Sequence, residues 1–127
     1  MERGYITLIS VLILGAITTS ISVALILSGL GVSRTSYALQ VSNQAKALAN
    51  YCAESALAIL AGSPTFTGTS TLSLGAGTCE YVVTDVGGAN VMIYASSTLD
   101  TTVRKVRVTL TPGPPIDVVT WEESADY

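Results

Sequence analysis

Thirty consecutive residues between Arg3 and Arg34 carry no charged side chain. A soluble fold of 127 residues would need some of those charges on its surface, whereas an apolar run of about 20 residues is enough to cross a bilayer as a helix. The polar members of the run are small hydroxyls, among them Thr7, Ser10, Thr18, Thr19, Ser20 and Ser22. Such side chains can bond back to carbonyls of their own helix and so hide their polarity. No proline interrupts the stretch. A membrane-spanning helix over residues 5–33 is the reading that satisfies all of these facts, with Arg34 marking the point where the chain leaves the lipid. A cleaved secretory signal fits poorly, because its apolar core is about 7–15 residues long.

The rest of the composition narrows the chemistry. Only 12% of residues are charged, about half the usual share. The net charge of −3 gives no reason to expect bound nucleic acid. With no histidine and two cysteines, histidine-based triads, the common zinc sites and haem ligation by histidine are excluded. Glu54, Glu80, Asp85 and Asp100 are separated by strands and turns, and no pattern pairs them for acid–base work. The glycine pairs form no strand–GxGxxG–helix unit. No enzymatic role, metal or cofactor is expected.

Helical character continues over 34–61. At 100° per residue, Val41, Ala45, Leu48, Cys52, Ala56 and Ile59 fall in one sector, while Gln40, Asn43, Lys46, Asn50 and Glu54 fall opposite. This half is amphipathic and reads as a spine that packs on its own head domain. Gly62-Ser63-Pro64 supplies the stop. The whole helix, 5–61, would be on the order of 85 Å long, and Gly29 and Gly31 are the places where it would bend or unwind.

Residues 62–127 change to Thr, Ser, Gly and β-branched types. Strands are expected at 71–74, 78–85, 91–97 and 102–111, with 64–71 as a polar loop. A last edge strand at 116–121 would precede an acidic tail, 122–127. Short turns imply an antiparallel meander of about four strands. Arg104, Lys105 and Arg107 read as a solvated strand face that guards an edge, and Trp121 as a core or edge anchor. Cys52 on the inner helix face and Cys79 at an inward strand position read as a disulfide in an oxidising, extracytoplasmic compartment. The expected fold class is therefore α+β: a long N-terminal helix, half membrane and half amphipathic, on a small antiparallel head.

The residues ahead of the apolar run add a more specific reading. Met1-Glu2-Arg3-Gly4 is a short charged leader, followed abruptly by Tyr5-Ile6-Thr7-Leu8-Ile9. This junction, with a long helix and a β-rich tail behind it, resembles the processing site of type IV prepilins. The resemblance implies cleavage after Gly4 by a prepilin peptidase and a mature, N-methylated Tyr5. It implies a single-pass membrane protein, N-terminus in the cytoplasm, that is later drawn into an extracellular filament with copies of itself or related pilins. The assembly helix would present Ile6, Leu8, Ile9, Leu12, Leu14, Ile17, Ile21 and Leu25. Filament-shaft subunits of that family usually carry glutamate at the fifth mature position. Here that position is Ile9, so the motif is closer to minor pilins and pseudopilins that lack the acid. The competing readings are a pseudopilin of a secretion system and a monomeric signal-anchored surface protein or binding module. The resulting division is leader 1–4, apolar half 5–33, amphipathic half 34–61 and head 62–127.

Overall fold

The computed structural model describes residues 2–124. One helix, α1 (Glu2–Gly62), is followed by five strands: β1 (Gly68–Leu74), β2 (Gly77–Gly87), β3 (Asn90–Leu99), β4 (Thr102–Thr111) and β5 (Asp117–Ser124). The fold class is α+β, and the arrangement is compatible with a pilin-like architecture. The chain divides into two compact units, Met1–Ala38 and Leu39–Tyr127. The helical assignment runs unbroken through Gly29 and Gly31, so the unwinding considered for those glycines is not found.

The sheet order is β1-β2-β3-β4-β5 with every neighbouring pair antiparallel. Turn chemistry explains this simple order. Gly88 and Ala89 both adopt positive φ, 68° and 67°, as a two-residue hairpin loop of the primed type requires. The first hairpin turns at Gly75, φ 62°, and the third at Asp100, φ 55°. The connection to β5 carries Pro112, Pro114 and Pro115, which lack the N–H a central strand needs.

In the second unit, alternate residues of the strands face the helix. Cys79, Tyr81 and Val83 of β2, Ile93 and Ala95 of β3, and Val106, Val108 and Leu110 of β4 are buried against α1. The helix answers with small residues: Ala45, Ala49, Cys52, Ala53 and Ala56 are all fully buried. Small side chains bring the helix backbone close to the sheet. The buried Ser97 hydroxyl accordingly donates to the Ala45 carbonyl, directly across the interface. Gly77 reflects the same closeness, since a Cβ there would lie 2.6 Å from Leu48 Cδ2 and 3.3 Å from the Thr98 carbonyl oxygen. The Cys52–Cys79 disulfide expected from the sequence joins α1 to β2, with Cα atoms 6.2 Å apart.

The edge strand expected at 116–121 joins the other four, so the sheet has five strands. Three sequence expectations are corrected. β1 starts at Gly68 inside the expected loop, because residues 68–70 pair with Tyr81, Val82 and Val83 of the long strand β2. β5 reaches Ser124 because Glu122 and Glu123 pair with Arg107 and Val106; residues 125–127 of the expected tail lie outside the described residues. Ile59 leaves the buried stripe, being 38% exposed, and Leu60 takes its place at 0%. Ala49 and Ala53 also join the stripe, which shifts the buried face from the one drawn by the larger apolar residues. At the end of α1, the Ser63 amide donates to the Ile59 carbonyl at 2.9 Å, closing the last turn.

Candidate assembly surface

Residues 2–38 contain no buried side chain; Ile9 alone is half-buried and the rest are exposed. Leu8, Leu12, Leu14 and Leu25 each keep more than 60% of their surface open. By composition and length this segment is a candidate membrane span. At 100° per residue, Ile6, Leu8, Ile9, Leu12, Leu14, Ile17, Ile21 and Leu25 leave open an arc of about 100°, and Val11 falls within it, so apolar side chains run around the whole circumference. An apolar surface of that kind needs an apolar environment on every side, either lipid or several neighbouring helices.

The hydroxyls within the segment do not interrupt its apolar character. Thr7 Oγ1 donates to the Gly4 carbonyl at 2.9 Å, and Ser10 Oγ to Ile6 at 2.8 Å. Thr18 donates to Leu14 and Gly15, Thr19 to Gly15 and Ala16, Ser20 to Ile17, and Ser22 to Thr18. These six hydroxyl protons are thus satisfied inside the helix, which lowers the cost of placing the side chains in a medium without water. Gly4 and Tyr5 lie in the first helical turns, both exposed; Met1 of the expected leader lies outside the described residues.

The head has a second cluster, one that sequence periodicity did not reveal. Lys46 Nζ lies 2.9 Å from Glu123 Oε2, and Arg104 Nη1 lies 3.1 Å from Glu123 Oε1. Arg104 also donates to the Ser42 hydroxyl, and Trp121 Nε1 donates to Asn50 Oδ1 at 3.3 Å. Lys46 and Asn50, placed by the helical wheel on the face away from the sheet, therefore flank it and hold β5. Arg104 points to the helix side of β4, where its register neighbour is Ser97. Lys105 and Arg107 occupy the other face; Arg107 bonds Glu122 at 3.2 Å and lies 5.8 Å from the Tyr94 ring centre. These contacts pin the last strand to the spine and to β4. Among the described residues, no three of His, Cys, Asp and Glu come together as metal ligands would.

The hydrogen bond from Lys46, with the nearby Arg104 charge, holds the Glu123 carboxyl below its usual range against a smaller opposing effect of burial. A carboxyl with a depressed folded-state pKa adds stability above its unfolded value, and that stability is lost as pH falls through the folded pKa. Glu123→Gln should therefore melt below the parent at neutral pH. The gap should close as the pH drops below about 4, the ordinary carboxylate range. Melting curves of both chains across that range would show it, and a gap that stays constant with pH would count against this account.

Against protein-family models, curated proteins and solved structures, the chain has no match.

Proposed function

We propose that this chain is a structural subunit of a type IV pilus-like extracellular filament, cleaved after Gly4 and assembled through its apolar helix. The observation that carries the reading is the uncharged segment that follows Arg3-Gly4-Tyr5, in which no side chain is buried. It needs apolar surroundings on all sides, and a bundle of identical helices supplies them as well as a membrane does. One sequence thus serves two states: anchored with the N-terminus in the cytoplasm, then packed in a filament outside the cell. A helix of about 26 residues burying on the order of 1,000 Å², at about 25 cal/mol per Å², has ample driving force for association.

The head supports an external location. Its Cys52–Cys79 bridge suits an oxidising compartment. The partners in this reading are other copies or related pilins, the membrane before assembly, and a prepilin peptidase acting at Gly4 and Tyr5. Ile9 in place of an acid favours a minor pilin or a pseudopilin, whose docking rests on packing rather than on an ion pair with a neighbour's N-terminal amine. The role is assembly, not catalysis.

Mass spectrometry of the protein from its native host tests this. A mature chain beginning at Tyr5, with a methylated amine, is expected. An intact chain still starting at Met1 and retained in the membrane would instead identify a signal-anchored surface protein.

A further inference from the structure

The sheet has two open edges of very different character. β1 carries no charge, no proline and no lysine in Gly68–Leu74, and the 25 residues between Glu54 and Glu80 contain no charged group at all. None of the usual protections of an edge strand is present. β5, at the opposite edge, carries Asp117, Glu122 and Glu123 and no basic residue. Among the described residues, the backbone groups of β1 that point away from β2 have no hydrogen-bond partner from a turn, loop or side chain.

Both edges also expose apolar side chains on the helix side of the sheet. Beside β1, a groove of about 380 Å³ is lined by Leu48, Tyr51, Leu74 and Leu99; Tyr51 is 46% and Leu74 56% exposed. On β5, Val118 and Trp121 are 42% and 41% exposed, and register places both on the helix side, opposite Leu110 and Val108. A single contact between the two edges would pair the open backbone and cover both apolar patches. Charge selects that contact: β5 against β5 sets carboxylates beside carboxylates, whereas β5 against β1 meets no charge. Self-pairing of β1 would leave Trp121 uncovered.

The geometry points to sheet extension between copies of this chain, with β5 of one head adding to the β1 edge of the next. Five alternating strands make β1 and β5 run the same way, so copies in one orientation pair these edges in parallel. The contact is head-to-tail, and copies already held in one orientation by their packed helices repeat it into a polar array. For its partner, a second copy in the same orientation, the inference rests on the filament reading above.

Thiol crosslinking of the full chain on intact host cells tests it. Thr71 and Thr120 are exposed positions on the outer face of β1 and β5. With a short bismaleimide, the Thr71→Cys/Thr120→Cys double variant should give a ladder of multimers on a denaturing gel, while each single variant stays monomeric. Thr84→Cys/Thr120→Cys, with one thiol moved to β2, should lose the ladder. A single-thiol reagent should label every variant, showing that the thiols are accessible. Labelled double variants without a ladder, a ladder from the β2 pair of equal yield, or dimers from Thr71→Cys alone would each overturn the inference. The N-terminus of the same samples separates the two readings. Cleavage at Tyr5 without a ladder sinks the edge contact and spares the filament, and a ladder from uncleaved chains does the reverse.

Discussion

Removing the bridge with Cys52→Ser and Cys79→Ser should lower the melting temperature of the head by roughly 15 °C. The bond spans 27 positions of sequence. Closing a loop of that size removes unfolded-state freedom worth about 3.5 kcal/mol on the chain-entropy model. A unit of this size shifts by about 4–8 °C for each kcal/mol. Other sources of stability are limited, because one five-stranded sheet on half a helix has a small core. Both sulfurs lie in that core, with Cys52 at 0% and Cys79 at 2% exposure, so the serines would also bury two hydroxyls without ready partners. Circular dichroism of the full chain in detergent, with and without reductant, measures the effect. A shift of only a few degrees in the double variant would mean that the helix–sheet contact holds the head without the bond.

Ile17→Lys should abolish filament recovery while leaving the melting of the head unchanged. Position 17 lies near the middle of the uncharged run, where a lysine costs about 2.5–3.5 kcal/mol for insertion into a bilayer. The same charge would be repeated in every copy of a bundle, far from water and without an acid to pair with, since no carboxylate lies between Arg3 and Arg34. The buried core of the head is built from Leu48 onward, so the substitution removes none of its side chains. Sheared surface fractions and membrane fractions should be compared with parent protein. Normal filament yield from the substituted chain would argue that the apolar helix is an anchor only.

Much of the fold was legible from residue patterns. β4, Thr102–Thr111, has the bounds its strict alternation implies, and the paired cysteines stood at inward positions of both elements. The apolar half of α1 followed from the absence of charge alone. The misread places share a cause. The strand character of 68–70 is weak in isolation, since Gly68, Thr69 and Ser70 also suit a loop; only the length of β2 beside them supplies the ladder. Glu122 and Glu123 resembled a solvated tail because their partners, Arg107, Arg104 and Lys46, are 15 to 77 positions away in sequence. A helical wheel ranks faces by hydrophobicity. It therefore drew Ile59 inward and left alanines 49 and 53 unranked, although close approach to a sheet favours the smaller side chain.

What the residue order determined by itself was every feature governed by local chemistry: the uncharged helix, the hydroxyls satisfied within it, the turn positions and the alternation of the central strands. The tertiary structure decided which part of the helix is covered and which is not, how far the edge strands extend, and that Lys46 and Glu123 meet. Those outcomes depend on pairing between residues distant in the chain, whose free energy appears only when backbone ladders and packed faces form together. The thirty uncharged residues thus define an apolar surface, and the fold shows that this surface is left open for an environment outside the chain.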